Sequence, residues 1–152
     1  MAVTITAERP DSPDAAALIT ELDDHLGPLY PAESRHGYSV AKLIAQNVAF
    51  FVVRSDGIPA GCGGVQLVGK EYGELKRMYV RPASRGQGLA KRLVDHLADY
   101  ACAQGVTVLR LETGIHQRAA IGLYEGLGFY RIPPFGPYTD DPVSLCYEKR
   151  LV

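Results

Sequence analysis

The chain has no tryptophan, only three cysteines among its 152 residues, and no strong excess of either charge. Sixteen basic residues stand against seventeen acidic ones, which leaves a formal net charge of −1. Because nucleic-acid binders typically present a basic surface, we expect no nucleic-acid partner. The cysteines form no C-x-x-C pair and no cysteine–histidine cluster, so we expect buried free thiols at Cys62, Cys102 and Cys146.

Long hydrophobic runs are also missing. No apolar stretch approaches the roughly eighteen residues that a membrane span requires, and residues 1–10 lack the basic start and apolar run of a secretory signal peptide. We therefore expect a cytoplasmic protein without a membrane partner. With 47% hydrophobic and 22% charged residues, the composition is typical of a soluble globular protein, and the length suits one domain over 1–152.

Apolar periodicity and turn residues predict an α/β protein. The pattern favours strands at 3–5, 48–54, 58–68, 74–80, 106–112, 129–132 and 143–149, and helices at 12–27, 39–45, 88–104 and 117–127. Along the chain, antiparallel hairpins come first and a strand–helix–strand crossover follows. This order implies a mixed, mostly antiparallel sheet with helices on both faces. Strict alternation in strand 74–80 would put Leu75, Arg77 and Tyr79 on one side and Glu74, Lys76, Met78 and Val80 on the other.

A glycine-bearing segment, Arg85 to Ala90, opens the best helix of the chain. Gly86 and Gly88 let the backbone approach a ligand closely, and the first helical turn offers free N–H groups and a positive dipole end. Together with Arg85, these features suit a pyrophosphate. The dinucleotide fingerprint is excluded because Lys91 takes its third glycine position, and a G-x-x-x-x-G-K match ending at Lys70 lacks the Ser or Thr that must follow.

Two separated segments carry a family resemblance. Arg85-Gly86-Gln87-Gly88-Leu89-Ala90 follows Val80-Arg81-Pro82 and resembles the R/Q-x-x-G-x-G/A motif of the GNAT superfamily of N-acetyltransferases. The run A-I-G-L-Y-E-G-L-G-F over 120–129 resembles the family's A-x-x-L-Y-x-x-x-G-F segment. The resemblance implies the acyl-CoA N-acyltransferase fold with a central splayed pair of parallel strands, acetyl-CoA as co-substrate, no metal, and a homodimer as one assembly of the family.

The resemblance also implies a cofactor site. The backbone of Met78, Tyr79 and Val80 would pair with the pantetheine arm, and an N–H near Val80 would polarise the thioester carbonyl. The pyrophosphate would lie against Arg85, Gly86, Gln87, Gly88, Leu89 and Ala90. Gln117 stands where many family members carry Asn, and we predict that it lies at the cofactor.

Two residues are predicted to carry the chemistry. Tyr124 matches the tyrosine that in many members protonates the departing thiolate; the alternative is a core tyrosine packed on the sheet. Glu74 is the candidate general base for the acceptor amine; the alternative is a surface glutamate paired with Lys76. Glu112 and His116 are weaker candidates for the base.

The resemblance implies that two loops wall the acceptor pocket, at 29–38 and 133–142. They carry Tyr30, Glu33, Arg35, His36, Tyr38, Phe135 and Tyr138, of which we single out Arg35 as a substrate-binding residue. The predicted function is transfer of the acetyl group to a primary amine, on a small molecule or a protein, by direct attack in a ternary complex. The alternative is a non-catalytic acyl-CoA sensor on the same fold.

Overall fold

The computed structural model describes residues 2–31, 34 and 38–151. Its strands are β1 (Val3–Ala7), β2 (Ala49–Ser55), β3 (Ile58–Val68), β4 (Tyr72–Val80), β5 (Val108–Gly114), β6 (Tyr130–Ile132) and β7 (Ser144–Arg150). Its helices are α1 (Pro13–Leu26), α2 (Val40–Ala45), α3 (Leu89–Ala103) and α4 (Arg118–Gly126). The predicted order of elements is confirmed, with bounds that shift by a residue or two.

The strands form one seven-stranded sheet in the order β1-β2-β3-β4-β5-β7-β6. Every neighbouring pair is antiparallel except β4 and β5, which are parallel. This parallel pair is joined at two positions, Gly73 with Leu109 and Glu74 with Arg110. Beyond them β4 continues to Val80 and β5 to Gly114 without further pairing to each other among the described residues. A cavity of about 260 Å³ opens between the two strands. The predicted splayed pair is confirmed.

Helices cover both faces of the sheet, as predicted. On one face, which we call the α1 face, a buried cluster joins the helix α1 to β2 and β3 through Leu18, Leu22, Phe50, Val52 and Cys62. On the other, the α3 face, α3 and α4 pack through Leu75, Leu93, Leu97, Leu109 and Tyr124. None of the helices in the described part of the chain is long and apolar enough to cross a membrane.

A β-bulge in β4 overturns the predicted alternation. Arg77 adopts φ 57°, in the left-handed region, and the register with β3 shifts between Cys62 and Gly64. Lys76 and Arg77 therefore both lie on the α1 face, where Arg77 donates to the Ile19 carbonyl in α1. The extra residue reverses the alternation of side chains after the bulge. Leu75 and Met78 therefore pack in the α3-face cluster, whereas Tyr79 packs in the α1-face cluster.

The cysteines follow the prediction only in part. All three thiols are free, and Cys62 and Cys146 are buried. Cys102 is exposed on α3. The expectation that it is buried is wrong, because the apolar stripe of this helix runs through Leu93, Leu97 and Ala101 and leaves position 102 on the outer side.

Candidate active site

The cavity between β4 and β5 brings together several of the predicted site residues. Its walls come from both strands, from the end of α1, from α4 and from Tyr138 in the β6–β7 loop. The predicted residues that line it are Tyr30, Glu74, Met78, Glu112, Gln117, Tyr124 and Tyr138. Tyr79 and Val80 continue the β4 wall beyond it, and the segment 85–90 follows at the start of α3.

The glycine segment leaves room for an anion. Gly86 and Gly88 have φ 81° and 76°, values that non-glycine residues rarely adopt, and a Cβ added at either would meet no atom within 4 Å. The first bond of the α3 ladder joins the Arg92 N–H to the Gly88 carbonyl. The N–H groups of residues 89–91 therefore have no backbone partner within the described chain. This open, N–H-lined space fits a diphosphate group.

Arg85 lies at the edge of this space. Its Nε–H donates to the Val80 carbonyl at 3.1 Å, and the side chain is exposed. That bond ties the end of β4 to the loop before α3. The rest of the guanidinium faces solvent, where it adds a positive charge beside the free N–H groups.

Tyr124 is both a buried core residue and part of the cavity wall. It is 5% exposed, and its ring packs edge-on against Phe129 with a centroid distance of 5.5 Å. Its hydroxyl has no hydrogen-bond partner among the described residues, although the residue lines the cavity. Burial raises the pKa of Tyr124, so the phenol stays protonated at neutral pH and has a proton to donate.

Glu74 is 4% exposed and takes part in a buried ion pair. The Lys76 Nζ lies 2.8 Å from Glu74 Oε2, and the Tyr138 hydroxyl donates to the same oxygen. Oε1 has no partner within the described part of the chain. The alternative interpretation is therefore right that Glu74 pairs with Lys76, but it is wrong that the pair lies at the surface.

Two tyrosines bury this pair. The Lys76 Nζ lies 3.9 Å from the centroid of the Tyr38 ring and donates to the Tyr138 hydroxyl at 3.0 Å. Burial, with the neighbouring Glu74 carboxylate, raises the pKa of Tyr138 and keeps it a donor. We call these four residues, Glu74, Lys76, Tyr38 and Tyr138, the buried charge cluster. Sequence reasoning placed the tyrosines in the pocket loops and offered Lys76 as the partner of Glu74, but it missed the burial of the pair and the hydrogen bonds of Tyr138.

Gln117 is held within the protein by its side-chain oxygen. Gln117 Oε1 accepts from the Gly114 N–H at 2.8 Å and from the Tyr30 hydroxyl at 3.4 Å. The Tyr30 hydroxyl in turn accepts from the His116 N–H at 3.1 Å. This network closes the end of β5 onto the first pocket loop, so Gln117 shapes the cavity wall; contact with a cofactor stays a prediction.

The two predicted pocket loops meet across the cavity mouth. Ser34 Oγ donates to Asp141 Oδ2 at 2.7 Å, which joins the first loop to the second. Arg35, the predicted substrate-binding residue, lies outside the described residues. Glu112, the weaker candidate base, accepts from Ser144 Oγ at 2.6 Å. Among the described residues, no three His, Cys, Asp or Glu side chains are grouped so that they could hold a metal ion.

The chain matches known proteins over most of its length. Residues 17–129 match the Acetyltransferase (GNAT) family. The "IAA acetyltransferase" of Azospirillum brasilense is 44% identical over 150 residues, which cover 98% of each chain. A Klebsiella pneumoniae structure assigned to the acyl-CoA N-acyltransferases is 37% identical, with a TM-score of 0.84 over 99% of this chain and 98% of that one. The PaiA N-acetyltransferase of Thermoplasma acidophilum, solved with coenzyme A, shares the fold at 19% identity, with a TM-score of 0.77 over 99% of both chains.

Proposed function

This chain belongs to the GNAT family of acetyltransferases, and we propose that residues 1–152 act as one domain that transfers the acetyl group of acetyl-CoA to a primary amine by direct attack in a ternary complex. The observation that carries the proposal is the cavity between β4 and β5, lined by both Glu74 and Tyr124. A carboxylate with one uncommitted oxygen and a protonated phenol with an uncommitted hydroxyl are the base and the acid that acyl transfer to an amine requires.

Acetyl-CoA is the co-substrate, and it supplies a thioester-activated acetyl group. In the proposal, the open N–H groups around Gly86 and Gly88, with Arg85, Gln87, Leu89 and Ala90, bind its diphosphate. Met78, Tyr79 and Val80 lie where β4 no longer pairs with β5, and the pantetheine arm would bind their backbone along that edge. Gln117 is assigned to the same side of the cavity.

The proton balance follows from the two side chains. Glu74 takes the proton that the acceptor ammonium must lose before its nitrogen can attack. A backbone N–H near Val80 stabilises the negative charge that develops on the carbonyl oxygen. Tyr124 gives its proton to the leaving sulfur. As the N–C bond forms and the C–S bond breaks, one proton is taken and one is given, on opposite walls of one cavity.

The proposal is tested by incubating the protein with acetyl-CoA and a broad panel of primary amines, and by measuring both CoA release and the mass of the acetylated product. Turnover with an amine is expected. A folded protein that binds acetyl-CoA and acetylates no amine would contradict the proposal and favour the acyl-CoA sensor.

Replacing Gly88 by valine is expected to abolish most of the affinity for CoA. A branched side chain would fill the open space in which phosphate oxygens must approach the N–H groups, and it would strain a backbone at φ 76°. Gly57→Val in the β2–β3 turn is the matched control, because Gly57 has φ 80° and equally open surroundings. Calorimetry should show the lost affinity in Gly88→Val alone, whereas both variants lose stability; unchanged CoA affinity in a folded Gly88→Val protein would disprove the assignment.

A further inference from the structure

We infer that the acceptor is a small zwitterion whose amine and carboxylate are close neighbours, as in a free α-amino acid. The inference rests on the proposed function, because it takes Glu74 as the base that meets the acceptor amine. It is carried by the buried ion pair of Glu74 and Lys76 inside the cavity.

A simple cationic amine would meet an unfavourable charge at this site. The Lys76 Nζ already lies 2.8 Å from the Glu74 carboxylate, and both side chains are only 5% exposed. An ammonium that approaches Glu74 would bring a second positive charge beside Lys76. If it displaced Lys76, a buried ammonium would lose its counter-charge, which is strongly destabilising.

A zwitterion avoids both costs. Its ammonium can bind Glu74 while its carboxylate binds Lys76, so every buried charge keeps a partner and the net charge of the site is unchanged. Because the Lys76 Nζ and the Glu74 Oε2 lie only 2.8 Å apart, the two charges of the acceptor must also be adjacent. A single carbon separates them in an α-amino acid, whereas the side chain of a protein lysine has no carboxylate beside its amine.

The other charged side chains that line the cavity each have a partner within the protein, although the buried Arg77 Nε has none among the described residues. Arg77 donates to the Asp23 carboxylate and to the Ile19 carbonyl, which holds its guanidinium against α1. Glu112 accepts from Ser144. Arg77 and Lys76 both lie on the α1 face, but Lys76 is the one that contacts the proposed base, at 2.8 Å. Since about 260 Å³ must hold the reactive end of the donor as well as the acceptor, a small acceptor is favoured.

The test compares matched acceptors on the wild-type protein. L-Amino acids with apolar, polar and charged side chains are each assayed against the corresponding α-amide and decarboxylated amine, for example L-phenylalanine, L-phenylalaninamide and phenethylamine. For the side chain that the pocket accepts, kcat/KM is expected to be at least about 10²-fold higher for the free acid, because the analogues bring an ammonium to Glu74 but no carboxylate to Lys76.

Two lysine variants test whether Lys76 causes the preference for the free acid. Lys76→Met should bring the acid-to-amide ratio of kcat/KM close to one. Lys42→Met is the matched control and should keep the ratio, because Lys42 also stacks on the Tyr38 ring, at 4.3 Å, but is exposed and does not line the cavity. Melting temperature and acetyl-CoA affinity are measured on the same samples. If Lys76→Met does not fold, the acid-to-amide ratio of kcat/KM on the wild-type protein decides whether the inference holds.

The outcomes separate the inference from the proposed function. If the amide and the amine are acetylated as efficiently as the acid, the acceptor class is wrong while the proposed function stands. A folded Lys76→Met protein that keeps the preference overturns the role of Lys76. If the protein acetylates none of these acceptors but does acetylate another amine of the broad panel, the inference alone fails. If it binds acetyl-CoA and acetylates no amine of either panel, the proposed function fails, and the inference fails with it.

Discussion

Tyr124→Phe is expected to lower kcat by about 10²–10⁴-fold, the usual contribution of a general acid, while the fold and the affinity for acetyl-CoA are retained. The substitution deletes only the hydroxyl, which has no hydrogen-bond partner among the described residues. The ring keeps its edge-on contact with Phe129. Stability should therefore change little, and the loss should appear in turnover.

A second tyrosine provides the opposite control. Tyr147 on β7 is buried, and its hydroxyl donates to Glu125 at 2.7 Å, but it does not line the cavity. Tyr147→Phe should cost about 1.5–3 kcal/mol of unfolding free energy, as expected for a hydrogen bond to a charged group, and leave turnover intact. Thermal melting and steady-state kinetics on both variants test whether Tyr124→Phe loses turnover alone and Tyr147→Phe loses stability alone. Full activity in Tyr124→Phe would rule out Tyr124 as the acid.

Glu74→Gln is expected to lower kcat/KM by about 10²–10⁴-fold through loss of the general base. The loss should be greatest at low pH, where the acceptor amine is most fully protonated and depends most on a base. The amide can still accept a hydrogen bond from Tyr138, but Lys76 is left without its counter-charge. Breaking a buried pair in this way costs about 3–5 kcal/mol, so a lower melting temperature should accompany the slower reaction.

The double variant Glu74→Gln/Lys76→Met separates the two effects of Glu74→Gln. Because it removes both buried charges, it should recover much of the lost stability but none of the lost activity. Activity that returned together with stability would make Glu74 a structural residue. An unchanged pH–rate profile in folded Glu74→Gln would have the same meaning and would direct attention to Glu112 or His116.

The parts of the site that local backbone rules govern could be predicted from the sequence. Gly86 and Gly88 stand where a strand gives way to a helix, and both adopt the left-handed conformation that glycine permits. The stripe of Leu89, Leu93, Leu97 and Ala101 predicts the buried face of α3. These features depend on neighbours in the sequence, so the order of residues is enough to reveal them.

The buried charge cluster could not be predicted in the same way. Arginine gives no sign of positive φ, and the bulge at Arg77 is compensated by its side-chain bonds to Ile19 and Asp23, more than fifty residues away in the chain. Glu74 and Lys76 have the composition of a solvated strand face. They are buried because Tyr38 and Tyr138 arrive from two loops, and that meeting is a tertiary contact which no local pattern encodes.

The bulge at Arg77 also sets how this scaffold tolerates changes in chain length. Glu74 lies before the bulge, and the end of β4 that leads to α3 lies after it. One residue inserted or deleted between positions 75 and 78 would move the later side chains of β4, Met78 and Tyr79 included, to the opposite face of the sheet. Libraries that aim at new acceptors should therefore vary length only in the 133–143 loop, and restrict β4 to substitutions that keep its residue count.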